Sequence, residues 1–272
     1  MENTNLRVTM GNELIRAAHN LSLMEKRVLM LAVSKLDSRQ ASSQQNTVVK
    51  LTVLDFVKEF GIDQSSAYRE VRKAVRGVRK RYVRFWEHGK NGALYDIDVS
   101  WTTKAKYAEN EGWIELSLNG DLNPQFFELK SHFTSYTLSR AGALRSLYAW
   151  RLFELLMQFK RTGFLKIELD AFHHSMESSN SYRKDFGATR RKIIEPAVKE
   201  IIKKDGLKVT WKAIKTGRKV TALEFKFPIE QQHELFKIDK PFIDKHARPG
   251  ESYEQAETRL KEEARSRDKD QA

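Results

Sequence analysis

The chain carries one pattern twice, and few folds tolerate it. LTVLDFVKEFGIDQSSAYREVRKAVR occupies residues 51–76, and IELDAFHHSMESSNSYRKDFGATRRK occupies residues 167–192. Leu54-Asp55 answers to Leu169-Asp170, and Tyr68-Arg69 answers to Tyr182-Arg183. An apolar-periodic helix precedes each copy, and strand-turn-strand sequence follows each basic helix. Helix, strand, helix, basic helix, β-hairpin is the order of a winged helix-turn-helix. Two copies predict an α+β chain of two tandem winged helix-turn-helix domains, suited to successive major grooves of one duplex.

Helices are expected over 11–20 and 22–36. Ser22 followed by Glu25 opens the second with a capping box, and Leu23, Val28, Leu29, Leu31, Ala32 and Leu36 give it an apolar stripe. Thr52 can cap a helix over 53–60 that Gly61 stops. Ser65 or Ser66 then caps the first basic helix, which runs to about Arg81. Val83–Trp86 and Ala93–Trp101 flank a turn containing Lys90, read as the first wing. Trp113–Leu118 alternates as a strand, and Asp121–Lys130 reads as a short helix. A long helix over about 139–161 opens the second unit, followed by a strand (164–168), a helix (169–176) and the second basic helix (181–204). Val209–Lys215 and Val220–Phe227 flank the second wing turn. The expected division is 1–135, 136–230 and a charged, disordered tail over 231–272, with a transient helix over 253–265.

On a helical wheel of about 100° per residue, Tyr68, Val71, Val75, Val78 and Tyr82 gather on one side of the first basic helix. Arg69, Arg72, Arg76, Arg79 and Lys80 cover a neighbouring arc, with the single acid Glu70 pointing away from it. Surface helices usually mix signs to form i,i+4 pairs. A one-sign arc instead favours an anion lying against it. In the second helix Phe186 and Ile193 face inward, while Arg183, Lys184, Gly187, Arg190 and Arg191 face outward. Gly187 has two readings: close approach to DNA, or close packing on the preceding helix. Asp185 could accept from a cytosine amino group or orient an arginine. Pro196 should kink or end the helix, leaving its N-terminal half to face DNA. Lys90, Lys215, Arg218 and Lys219 are wing candidates for phosphate contact, which positions rather than specifies.

Formal net charge is +13, from 49 Lys and Arg against 36 Asp and Glu, which favours a polyanionic partner. With no cysteine, disulfides and thiolate metal sites are excluded. The N-terminal sequence lacks a signal-peptide core and no stretch is apolar enough to span a membrane, so a cytoplasmic protein is expected. No phosphate-binding Gly-rich loop is present, His173 and His174 project apart, and no cofactor is expected. Asp96 and Asp98 share a strand face that a metal-dependent nickase or nuclease could use, although alternating carboxylates more often face solvent. The expectation is a chain without catalytic activity.

The stretches NELIRAAHNLSLMEKRVLMLAVSKL (12–36) and SYRKDFGATRRKIIEPAVKEI (181–201) resemble theta-type plasmid replication initiators, a likeness covering about residues 8–230. The resemblance implies two winged-helix domains that bind directly repeated origin sequences (iterons) in double-stranded DNA. It also implies initiation by monomers, repression of its own gene by dimers, and host initiator, replicative helicase and chaperones as partners. Carried over by position, Arg183, Lys184, Arg190 and Arg191 match the base-reading helix, and Arg69, Arg72 and Arg76 match the backbone-contacting one. Gly187 departs from the family, which often has Arg there. The rivals are a dimeric transcriptional repressor with no initiating role and the nickase. The strand Trp113–Leu118 is the expected dimer surface, as an exposed sheet edge.

Overall fold

Side-chain caps decide where the first helices begin. In a computed structural model of the chain, which describes residues 6–39, 45–88, 93–108, 111–229, 243, 246–248 and 251–260, Ser22 Oγ accepts the Glu25 N–H while Glu25 Oε2 accepts the Ser22 N–H at 2.7 Å. Thr52 and Asp55 repeat the device. The elements run β1 (Arg7–Gly11), α1 (Asn12–Arg16), α2 (Leu23–Val33), β2 (Thr47–Thr52), α3 (Val53–Phe60), α4 (Gln64–Val78), β3 (Tyr82–His88), β4 (Leu94–Ser100), β5 (Thr102–Ala108) and β6 (Trp113–Leu118). After a 3-10 turn over Gly120–Gln125 come β7 (Phe133–Thr137), α5 (Leu138–Gly142), α6 (Leu147–Met157), β8 (Phe164–Glu168), α7 (Leu169–Ser175), α8 (Asn180–Lys184) and α9 (Phe186–Thr189). A π-helical turn over Arg190–Ile194 leads into α10 (Glu195–Asp205), then β9 (Thr210–Thr216) and β10 (Lys219–Lys226).

The two expected winged-helix units are present, but the first wing is elsewhere. The second sheet has the order β8-β10-β9, all antiparallel. The first sheet reproduces that order as β2-β6-β5. By topology β5 and β6 are the first wing, and the β3–β4 hairpin expected in that role is inserted between the basic helix and the wing. Lys90 and the β3–β4 turn lie outside the described residues. The expected edge strand Trp113–Leu118 is β6, the middle strand of its sheet, so both its sides are already paired and it offers no free edge.

Other departures have local causes. Asp63, rather than Ser65 or Ser66, caps α4, accepting the Ser66 N–H at 3.2 Å; a carboxylate also favours the positive end of the helix dipole. The expected helix 139–161 breaks into α5 and α6 because Ser146 caps the second piece through the Ala149 N–H. The helix expected over 121–130 shortens to the 3-10 turn, which contains Pro124. β1 was not anticipated, because its partner β7 lies at the far end of the first unit, with Arg7 opposite Thr137.

One buried apolar cluster runs from Val8 to Phe227, and a polar network passes through it. Lys26 of α2 and Glu154 of α6, both 0% exposed, pair at 2.7 Å. Tyr136 of β7 donates to the other Glu154 oxygen at 2.6 Å, and Trp150 Nε1 donates to Tyr136 Oη at 3.3 Å. Burial pushes the Lys26 ammonium below its ordinary value against the opposing pull of Glu154. Nearby, Arg151 donates to the carbonyls of Ala17 and Ser175 and to His19 Nδ1 at 3.0 Å, while His19 Nε2–H donates to Leu14 O at 2.6 Å.

The described residues beyond Pro228 form a separate unit. Within it residues 253–260 are helical, Ile243, Ala256 and Leu260 are buried together, and Arg259 pairs with Glu251 at 2.7 Å. Hydrogen bonding to Arg259 pulls the Glu251 carboxyl down to about 2.

Two outcomes follow from the buried network. Lys26→Met should lower unfolding free energy by ~3–5 kcal/mol, because an unpaired carboxylate stays buried, whereas Lys26→Met with Glu154→Leu should recover most of that loss. Denaturant titrations of both variants decide it; equal damage from the single and double variants would contradict the account. Burial, then the Arg151 charge, holds His19 well below the ordinary 6.5. Below that pH the unfolded chain takes up a proton that the folded chain refuses. The stability is complete above pH 6.5 and is lost as pH falls beneath it. The denaturation midpoint should therefore drop between pH 7.5 and 5.5, with a shallower drop in His19→Gln. An identical slope in that variant would remove His19 as the cause.

Candidate nucleic-acid interface

The inner face of α4 is apolar: Val71, Val75 and Val78 are buried against α2 and the core. Tyr82, expected beside them, lies instead at the start of β3. Gly77 leaves room for α2, since a Cβ there would displace the Glu25 carboxylate. That carboxylate in turn pairs with Arg81 at 3.1 Å. With its inner face committed, α4 turns its cations outward. Arg69, Arg72, Lys73 and Arg76 line one open concavity. Arg69 is 79% exposed at its side chain, and the Arg72 guanidinium lies 5.5 Å from the Tyr107 ring centre. Arg79, just past the helix end, and Lys80 are exposed as well. Lys73 is the residue sequence reasoning missed, although it sits about 40° from Arg69 on the same wheel. Glu70 does not stand clear of the arc: its Oε1 lies 3.6 Å from Arg69 Nε.

The second basic element is not one helix. Asp185 adopts an extended conformation (φ −127, ψ 99) and breaks it. Its Oδ1 accepts the Ala188 N–H at 3.1 Å, restarting the helix at Phe186. The carboxylate expected to meet a base or orient an arginine is thus a helix cap. Thr189 Oγ1 donates to Tyr182 O, which also accepts the Asp185 N–H, and so ties the restarted helix to the one before it. Pro196 does not end the helix: it sits in the first turn of α10, where its missing N–H costs little.

Arg183, Lys184, Arg190 and Arg191 are all exposed on this element. Arg183 Nε donates to Ser178 O at 3.0 Å, and Arg190 Nε pairs with Glu195 at 3.0 Å. Gly187 does not pack on the preceding helix. A Cβ there would stand 3.1 Å from Asp185 Oδ1 and 3.2 Å from an Arg191 guanidinium nitrogen. The glycine therefore leaves room for the cap and for the Arg191 side chain. Arg218 and Lys219 sit at the two-residue β9–β10 turn, which needs Gly217 at φ +62, and Lys215 is exposed nearby.

The carboxylates considered for metal chemistry are otherwise engaged: Arg84 lies 3.0 Å from Asp98 and 3.8 Å from Asp96. His173 is buried, while the His174 ring lies tilted against Trp86 with centres 4.1 Å apart. Among the described residues no group of three His, Asp or Glu could hold a metal ion, and no helix is long and apolar enough to cross a membrane.

Comparison with known proteins follows the same two-part division. Residues 7–157 match the family model described as Initiator Replication protein, WH1, and residues 168–227 match Initiator Rep protein, WH2. An uncharacterised 27.6 kDa protein of Escherichia coli is 28% identical over 225 residues, covering 79% of this chain and 93% of that one. The PI protein of Escherichia coli is 23% identical over 259 residues, covering 84% and 85%. A crystal structure of Pi initiator protein in complex with iteron DNA superposes with a TM-score of 0.70 at 21% identity, covering 84% of this chain and 99% of that one. With both winged-helix models matched in order across most of its length, the chain belongs to the initiator replication protein family.

Proposed function

We propose that the chain is a sequence-specific DNA-binding initiator of plasmid replication that recognises repeated origin sequences in double-stranded DNA. The observation that carries this reading is the α4 face, where Arg69, Arg72, Lys73 and Arg76 line one concavity with Glu70 as the acid beside it. Like charges held this close repel one another unless a polyanion neutralises them. In this reading α4, with Arg79, contacts the phosphate backbone. The element from Asn180 to Arg191 reads bases through Arg183, Lys184, Arg190 and Arg191, with Gly187 leaving room for Arg191. Arg218 and Lys219 on the second wing touch phosphate and set register. The structural relative solved with iteron DNA supports repeated origin DNA as the ligand.

The chain works by binding rather than catalysis, in the cytoplasm, with host initiator, replicative helicase and chaperones as partners. Self-association into a dimer would let it repress its own gene at an inverted operator. Energy for opening adjacent duplex comes from several protomers bound along tandem repeats.

The two basic elements make different predictions. Arg190→Ala should cost ~1–3 kcal/mol on the cognate repeat and relax discrimination at one position. Arg76→Ala should weaken cognate and unrelated DNA alike and lower the salt slope by about one. Binding isotherms at several salt concentrations separate the two, and variants indistinguishable from wild type would remove these roles. Glu195→Gln frees Arg190 from an exposed ion pair worth ~0–1 kcal/mol, so it should tighten binding by up to several-fold. Weaker binding by that variant would show that Glu195 holds Arg190 in its reading position.

A further inference from the structure

The end of α1 and the segment after it, residues 16–20, are held from three directions. Arg151 of α6 donates to Ala17 O and, through Nε at 2.7 Å, to Ser175 O at the end of α7. Ser175 Oγ donates to Arg16 O at 3.1 Å. From the inserted hairpin, the Arg84 N–H donates to Ala18 O at 2.9 Å, and the Trp86 ring lies tilted against His174 of α7. The third hold is the Glu177 carboxylate: one oxygen accepts the His19 N–H at 2.8 Å and the other accepts the Asn20 N–H. Both Glu177 (φ 52) and Asn20 (φ 49) occupy the left-handed region, which a long side chain such as Glu enters at a cost. Asparagine enters that region readily, so the cost falls on Glu177, whose charged, two-pronged hydrogen bond holds the joint closed.

The placement of that joint gives it a role. Glu177 stands between α7 and α8, directly ahead of the second basic element. The segment it grips leads into α2, and α2 packs on α4 through the Gly77 and Glu25 contact. Thus a short path of contacts connects one cationic element to the other, and Glu177 crosses between them beside the Arg151 and Ser175 bonds. We propose that Glu177 is a positioning residue that fixes the separation of the two DNA-contacting elements, and hence the spacing between half-sites that the protein accepts. The inference rests on the reading that both elements engage one duplex. Successive base pairs are 3.4 Å apart along a strand. A joint that rocks by a comparable distance at the second element no longer distinguishes one spacing from the next.

The test uses the full chain and duplexes bearing its protected repeat, either native or with one or two base pairs inserted between the half-sites, read by fluorescence anisotropy. Wild type should lose about tenfold or more in affinity for each insertion, on the scale of a mismatched site. Glu177→Ala should bind the native duplex several-fold more weakly yet bind native and expanded duplexes within about threefold of one another. Glu177→Gln, which keeps the side-chain shape and loses the charge, should fall between. Preserved wild-type discrimination in both variants overturns the proposal. So does an equal loss on all duplexes including an isolated half-site, which marks general damage and would be accompanied by a lowered melting temperature. If wild type itself ignores inserted base pairs, the one-duplex reading fails before Glu177 is at issue.

Discussion

The arrangement of the two halves is selected by an ion pair buried from solvent. Removing Lys26 and Glu154 from solvent carries a large desolvation cost, which their 2.7 Å contact offsets only because the remaining carboxylate oxygen is also satisfied, by Tyr136. Such a pair adds little net stability over apolar residues of the same size. What it does is select an arrangement, since any packing that separates the partners leaves a buried charge alone. Lys26 lies on the helix that backs α4, and Glu154 lies on α6, which packs on α10, the continuation of the second basic element. Keeping the pair closed keeps the supports of both cationic surfaces in one register.

The two units repeat a topology without repeating its detail. In the second, the basic element runs directly into a two-stranded wing closed by Gly217 and Arg218. In the first, the β3–β4 hairpin intervenes, and its Trp86 reaches His174 in the other unit. The Arg84 pairs with Asp96 and Asp98 belong to this inserted hairpin. The carboxylates that resembled a metal site neutralise the cation between them. A sequence duplication has thus become an asymmetric pair, with the added hairpin spent on the contact between halves.

What could be read from the sequence was local. The capping residues Ser22, Thr52 and Glu25, the stop at Gly61, the β9–β10 turn and the arginine arc of α4 all act within one or two turns of the chain, so their chemistry is visible in residue order. What escaped involved distant partners or competing local options. β1 pairs with a strand more than a hundred residues away. The hairpin after α4 had good turn chemistry, and nothing in it showed that β5 and β6 would complete the sheet. Asp185 looked like a polar reader on a helix face because its alternative, a cap that interrupts the helix, needs the backbone break to be seen. Lys73 is legible on the wheel, beside Arg69. Glu177 had no signal at all: a glutamate in a polar stretch acquires meaning only when the His19 and Asn20 amides arrive against it.

The central claim is that two cationic elements, held in fixed relation by a shared core, engage one duplex at repeated sites. Hydroxyl-radical footprinting of the purified protein on the DNA flanking its gene, at physiological salt, addresses it directly. The account predicts paired patches of protection on one face of the helix, about one turn apart, recurring at a fixed interval along tandem repeats. One patch per site, or protection without any repeat, would contradict it.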